Sequence, residues 1–304
     1  MSQLANIQKG KIQYPDFVVI YGVDGIGKST FAAQAPDVIF IGPEADKGTA
    51  NMDVARYPSQ PKTYKELMAA IKDLRDNPHP FKSVAVDSID HIEPMIWNKV
   101  CEDYGVASIE AVMGGFGKGY VEANKLWRDL IAALSDLRDA RKMNVIIIAH
   151  SMVKAFNDPQ TNATYDRFQL KLNDKASALW REHVDCVFFA NFEVYTKQDD
   201  KKRTRAYGEG TRMMFTERRP GFDAKNRMTL PPILTLDWNE FIRAKAGANP
   251  QSAEIIVSQI QELALQIKDE ATQVKVAETL AKVGLDTARL MPVLNRVRVL
   301  VGVA

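Results

Sequence analysis

The chain has 304 residues, 46% of them hydrophobic and 26% charged, enough for one sizeable α/β domain plus a small module. A net charge of +2 neither demands nor excludes nucleic acid, so any nucleic-acid surface has to be local. Cys101 and Cys186 show neither metal-ligand spacing nor a disulfide framework, no apolar run reaches ~18 residues and the opening residues lack an apolar leader, so a cytoplasmic protein without a membrane span is expected.

Residues 1–16 read as a polar lead-in that ends in the turn Tyr14-Pro15-Asp16. Phe17 to Tyr21 is an apolar, β-branched run expected to form a buried strand, and Thr30 to Ala35 reads as the first turns of a helix. Between them lies Gly22-Val23-Asp24-Gly25-Ile26-Gly27-Lys28-Ser29-Thr30, which fits G-x-x-x-x-G-K-[ST], the Walker A pattern. Its glycines let backbone N–H groups wrap closely around phosphate oxygens. Lys28 reaches the β- and γ-phosphates, and the Ser29 hydroxyl can ligate Mg²⁺. Asp24 is tolerable there if its side chain points away, because backbone groups form the cradle. Val38 to Ile41 is a second buried strand, Tyr64 to Asp76 an amphipathic helix closed by Asn77-Pro78, Ser83 to Asp87 a third strand and 90–104 a second long helix. Gly114 to Tyr120 reads as a flexible Gly-rich loop, Val121 to Lys142 as a long helix and Asn144 to Ala149 as a fourth strand. Alternation of this kind predicts an α/β fold, a P-loop core whose mostly parallel central sheet is flanked by helices. Val187 to Lys197 and Thr204 to Phe215 then read as a hairpin around Gln198-Asp199-Asp200, and Ile233 to Leu236 as a last strand. The basic run 201–205 at the hairpin tip reads as a solvated turn. With Gly247 to Pro250 as a linker, we expect a core over residues 1–246 and a helical module over 247–304, its helices near 252–268, 270–283 and 287–301.

Asp87, after four small or apolar residues, has the Walker B arrangement: a strand-end carboxylate that supports Mg²⁺. The position after it is Ser88, where many P-loop ATPases carry a glutamate. Hydrolysis needs a group that orients or deprotonates water, and Glu44 at the carboxyl end of the second strand is the first candidate, with Asp46 as the alternative. The assignment supposes that the second strand neighbours the P-loop strand. His150, directly after the fourth strand, is placed to sense the γ-phosphate. ATP and Mg²⁺ are the expected cofactors.

Walker A, an acid after strand two, Asp87-Ser88 and a strand ending in a polar residue together resemble the RecA-type ATPases. That family takes its base from the strand-two glutamate, which supports Glu44. Its polar sensor is often glutamine, from which His150 departs. The resemblance places a first DNA-binding loop at Gly114 to Tyr120, with Phe116, Lys118 and Tyr120. It places a second at about Ser151 to Leu172, with Lys154, Phe156, Arg167 and Phe168. Cations that track phosphates and rings that stack on bases suit single strands. Lys225-Asn226-Arg227 matches the Lys-x-Lys or Lys-x-Arg pair that RecA, DnaB-type helicases and KaiC direct at a neighbouring subunit's γ-phosphate. This implies a homo-oligomer, ring or filament, with ATP at subunit interfaces. Within the group the layout is most similar to phage-encoded Sak-type single-strand annealing ATPases, over about residues 10–240. The function implied is ATP-driven annealing or strand pairing on single-stranded DNA in the bacterial host's cytoplasm, with a single-strand-binding protein as a candidate partner. The competing readings are a ring-shaped helicase or translocase, and a nucleotide-switched scaffold that recruits a partner through the C-terminal helices.

Overall fold

The apolar runs become strands at the limits their burial dictates: β1 (Phe17–Gly22), β2 (Val38–Ile41) and β4 (Ser83–Asp87) are buried at every residue. In chain order the elements are β1, α1 (Lys28–Ala33), β2, α2 (Ala45–Thr49), β3 (Ala55–Arg56), α3 (Tyr64–Asp76), β4, α4 (Ile89–Tyr104), a 3₁₀ turn (Ile109–Gly114) and α5 (Lys118–Arg141). There follow β5 (Asn144–Asp158), β6 (Ala163–Leu170), α6 (Asp174–His183), β7 (Cys186–Phe192), β8 (Tyr195–Gln198), β9 (Thr204–Tyr207), β10 (Arg212–Phe215), β11 (Lys225–Asn226) and β12 (Ile233–Thr235). The chain ends in α7 (Trp238–Lys245), α8 (Pro250–Ala264), α9 (Glu270–Val283) and α10 (Thr287–Val301). This computed structural model describes residues 9, 14–159, 162–193, 195–198, 204–207, 210–246, 250–267, 269–284 and 287–301. The basic residues 201–203, the linker at 247–249 and the break at 285–286 lie outside the described residues. No helix among the described residues is long and apolar enough to cross a membrane.

The chain divides into two compact units. The first comprises Met1–Val19, Ala35–His150 and Lys171–Asp185. Its strands β5, β4, β2 and β3 lie side by side in that order, all parallel, with Asp87 opposite Ile148 and Ile41 opposite Val86. The start of β1 is held at the β5 edge, where the Val145 N–H donates to the Asp16 carbonyl (2.7 Å). On its other side the Asp185 N–H donates to the Phe17 carbonyl (2.8 Å). The Asn144 side chain fixes the register, accepting from the Asp16 N–H (2.9 Å) and donating to the Ser83 hydroxyl (3.3 Å). β2 is therefore separated from the start of β1 by β5 and β4. This corrects the expectation that strand two neighbours the P-loop strand.

Helix ends follow from local chemistry. Thr63 accepts the Glu66 N–H at the start of α3 while the Glu66 carboxylate accepts from Lys62, and Asn77, ahead of Pro78, adopts the extended backbone that ends the helix. Trp127 of α5 meets Trp180 of α6 edge-on at 5.9 Å, and Trp180 reaches Phe17 at 6.3 Å.

The second unit comprises Ile20–Gln34, Ser151–Leu170 and Cys186–Ala304. Here β10 pairs antiparallel with both β7 and β12, β11 pairs with β7, and β8 with β9, so the hairpin expected over 187–215 forms, interrupted between β7 and β8. The end of β1 approaches β7 so closely at Gly22 that a side chain there would strike the Ala190 carbonyl. α1 is seated by Phe31 against Trp238 (5.4 Å) and Phe188 (6.4 Å), and Gln34 at its end accepts the Trp238 N–H (2.8 Å). The distal part of β5 and β6 form a regular hairpin, from Ser151 opposite Leu170 to Asp158 opposite Ala163. The expected flexible second loop is thus an ordered ladder. Helices α8, α9 and α10 enclose a small core of their own, with Ile256, Ile260, Val276, Leu290, Leu294 and Val297.

In the first unit, Gly42 leaves β2 with φ of +130°, and a Cβ on it would lie 2.4 Å from the Asp87 carbonyl oxygen. Gly42→Ala should destabilise the protein by about 2 kcal/mol or more, through both backbone strain and overlap. Urea denaturation measures this, and an unchanged midpoint would contradict the packing.

Candidate functional site

In the second unit, the segment after β1 is anchored by Ile26, which is fully buried, and by the seating of α1. Gly27 adopts φ of +107°, and Lys28 opens the helix. The Lys28 side chain is 6% exposed, and its amine donates to the carbonyls of Gly22 (3.1 Å) and Val23 (3.0 Å). Asp24 and Thr30 are exposed, and Val23 and Ser29 half-buried. The Asp24 side chain is thus on the solvent side. A nearly buried ammonium curled inside a Gly-rich loop, where Gly27 takes a left-handed φ that a side chain would strain, fits a polyphosphate with Mg²⁺. The loop N–H groups and Lys28 would hold phosphate, and Ser29 the metal.

Lys225 and Arg227 lie in the same unit. Lys225 sits on β11 opposite Val187 and is half-buried, and Arg227 is exposed. Asn226 between them organises the turn, its carbonyl oxygen accepting from the Met228 and Leu230 N–H groups (both 3.1 Å) and its amide donating to the Leu230 carbonyl (2.8 Å).

In the first unit, Asp87 is 4% exposed at the end of β4. Glu44 lies beside it: the Glu44 N–H donates to the Asp87 carbonyl (3.1 Å), and the Glu44 carboxylate faces Lys47 at 3.2 Å. The topological argument for Glu44 fails, yet the chain still brings it to the Asp87 end of β4. The side chain of Asp46 lies outside the described residues. The Asp87–Ser88 peptide is cis.

His150 is not a strand end, because β5 runs on to Asp158. It stands where pairing with β4 gives way to the hairpin. Asp90, in the first turn of α4, grips it twice: one carboxylate oxygen accepts the His150 backbone N–H (3.0 Å) and the other the ring Nδ1–H (2.8 Å). His91 adds a third donor, its Nδ1 2.7 Å from the Ser88 hydroxyl and 3.4 Å from Asp90. The two imidazoles meet edge-on at 5.6 Å. Asp90, His91 and His150 bring their donor atoms within 4.8 Å of one another, a set a transition metal could use. Within the cluster both Nδ1 atoms already have partners, His150 with Asp90 and His91 with Ser88. Sequence reasoning gave Asp90 no role. Its position three residues past Asp87, at the start of a helix, was the available signal.

The Gly-rich segment in the first unit is shorter and more ordered than expected. The 3₁₀ turn ends at Gly114, α5 begins at Lys118, and Gly119 packs on the Ile109 carbonyl. Tyr120 is committed to the protein, its hydroxyl donating to Glu110 (2.8 Å) and its ring edge-on to Trp97 (5.5 Å). Lys118 donates to the Met113 carbonyl (3.2 Å). Phe116 is 98% exposed at the tip, with glycine on either side. In the second unit's hairpin, Arg167 is 2% exposed, 2.5 Å from Asp223 and 4.8 Å above the Phe156 ring. Phe168 packs on Phe189 (5.2 Å), and Lys154 is half-buried. Arg167 is thus taken up by an internal ion pair, a partnership 56 residues apart in sequence that no local pattern signals.

Burial, the largest influence on the Asp90 carboxyl, would raise its pKa. The hydrogen bonds from the His150 ring and backbone, with the nearby charge of His150 and His91, outweigh it and hold the pKa at about 2. A lowered carboxylate pKa stabilises the fold above the ordinary value of 3.8, and this contribution disappears as pH falls toward 2. Asp90→Asn should therefore be less stable than the parent by about 2 kcal/mol at neutral pH, with the gap closing between pH 4 and 2. Thermal melts across that range measure it, and a pH-independent gap would exclude a contribution from the Asp90 charge.

Residues 15–228 match the AAA domain family. No protein of curated function matches the chain. Among solved structures, the crystal structure of the RadB recombinase is similar over 68% of this chain and 84% of that chain, with 15% identity and a TM-score of 0.37. The family match spans more than half of the sequence and contains the Walker A loop, Glu44, Asp87, His150, Lys225 and Arg227. The chain therefore belongs to the AAA domain family and carries a P-loop NTPase core.

Proposed function

We propose that the protein is a RecA-type, Mg²⁺-dependent ATPase of the phage Sak-type group that binds single-stranded DNA as an oligomer and promotes annealing or strand pairing. The observation that carries the nucleotide part is the Lys28 ammonium, desolvated inside the glycine loop. The loop N–H groups and Lys28 bind the phosphates, while Ser29 and Asp87 hold the metal. Bound Mg²⁺ supplies positive charge against the phosphate oxygens. Glu44 orients and deprotonates the attacking water. His150, held by Asp90 in one tautomer, reports nucleotide state toward the β5–β6 hairpin. Lys225 and Arg227 complete a neighbouring subunit's site. The core is taken as residues 1–246 and the module as 247–304.

The DNA part rests on motif order and is supported by Phe116, a solvated aromatic ring on a glycine tip beside Lys118. Lys154 on the hairpin is a further candidate. Arg167, Phe168 and Tyr120, whose side chains are engaged within the protein, are left out of that surface. A partner-recruiting role for the C-terminal helices has one observation in its favour. An apolar groove of about 690 Å³ is lined by Val257, Ala264, Leu265, Val274, Ala277 and Leu280, and Leu265 is 79% exposed. A single-strand-binding protein is the candidate partner.

Lys28→Ala should reduce ATP turnover at least 100-fold, and Arg227→Ala should lose turnover while still binding nucleotide. Mixing the two variants should restore part of the activity if Arg227 acts across an interface. Turnover by Lys28→Ala at the parent rate would sink the site. Single-stranded DNA should stimulate the ATPase, and Phe116→Ala should weaken its binding by about 1–3 kcal/mol, read by fluorescence anisotropy. DNA-independent turnover by a monomer would remove the recombination reading and leave the partner-recruiting one.

A further inference from the structure

We propose that Arg212 is an additional ligand for the nucleotide's α- and β-phosphates, delivered to the Walker A loop from β10. The proposal rests on reading Gly22–Thr30 as the nucleotide site. It concerns a residue that no sequence motif marks.

The loop, β7, β10 and β12 all belong to the second unit. β10 pairs antiparallel with β7, with Arg212 opposite Phe192, and the Arg212 carbonyl accepts the Leu236 N–H (3.1 Å). Met213 and Met214 are buried, so the strand is fixed in register and Arg212 at its start cannot slide. From there the guanidinium reaches the loop: its Nη1 lies 2.9 Å from the point where a Cβ on Gly27 would stand. Leu236 Cδ2 lies 3.8 Å from the same point. Gly27 directly precedes Lys28, so two basic side chains converge on one short stretch of backbone. Among the described residues no carboxylate pairs with Arg212, although its residue as a whole stays exposed.

A cation aimed at a phosphate-binding loop, and not neutralised by an acid, gains its counter-ion from the ligand. Arginine's planar fork matches phosphate oxygens in two parallel hydrogen bonds. The assignment to particular phosphates follows from the loop. Its backbone N–H groups cradle the α- and β-phosphates, while the lysine reaches the β- and γ-phosphates. A group standing over Gly27 belongs with the cradle. Arg212 therefore binds a part of the ligand that ATP and ADP share, in contrast to Lys225 and Arg227, which are assigned to a γ-phosphate.

Isothermal titration of the full chain with ADP, and with a non-hydrolysable ATP analogue, tests this. Arg212→Ala should weaken both ligands by the same factor, about tenfold or more for a lost charge-assisted pair. KM for ATP should rise in step, and Arg212→Lys should recover part of the loss. Affinity equal to the parent for both ligands overturns the proposal, as does a loss confined to the ATP analogue. Arg212→Gln, with its melting temperature, serves as the check that the side chain's removal leaves the fold intact. Lys28→Ala separates the two levels of the argument. If it binds nucleotide like the parent, the loop is not the site and the proposed function falls. If it loses binding while Arg212→Ala does not, only Arg212's role falls.

Discussion

A strand buried on both faces leaves its chain no choice of exit, and β1 is such a strand, with every residue from Phe17 to Gly22 out of contact with water. Its backbone groups have to be satisfied by neighbouring strands, since water cannot reach them. Hydrogen bonds to Val145 and Asp185 at its start, and close approach to Ala190 at its end, meet that demand. Within the second unit, the contact of Gly22 with Ala190 fixes where the loop leaves β1 relative to β7. Everything asked of Lys28 depends on this. An ammonium on a mobile loop would remain hydrated, whereas one curled against the Gly22 and Val23 carbonyls is already stripped of most of its water.

A second constraint acts at the carboxyl ends of β2 and β4. Gly42 lets the backbone of one strand lie against the Asp87 carbonyl of the other, so Glu44 is placed by main-chain contact and not by its own side chain. The side chain is left to exchange between Lys47 and any ligand, at the low cost typical of an exposed ion pair. Asp90 does the opposite. Both its oxygens are spent on His150, so the imidazole is held rigidly at the point where β5 changes partners.

Much of the fold was legible because it depends on local pattern. The limits of β2, α3 and β4 follow from apolar runs and caps, and the Walker A loop announces itself by spacing. What was not legible depends on partners distant in sequence. The stretch Ser151 to Leu172 mixes cations with rings and reads as a loop until its two halves are known to pair as β5 and β6. Arg167 resembles a nucleic-acid contact until Asp223 is seen beneath it, and Tyr120 until Glu110 and Trp97 are. Strand order is non-local in the same way, which is why the placing of β2 beside β1 failed while the association of Glu44 with the Asp87 end of the sheet did not. Arg212 was invisible for a further reason: an arginine at the start of a short strand has no motif, and only the register with β7 gives it a direction.

Phe116 has a consequence for the free protein. Burying a phenylalanine fully is worth about 1.5–3 kcal/mol, and at 98% exposure none of that is realised within the chain. Glycines on either side give the tip little stiffness with which to tuck the ring away. The ring thus holds burial free energy that only a contact made at this tip can release.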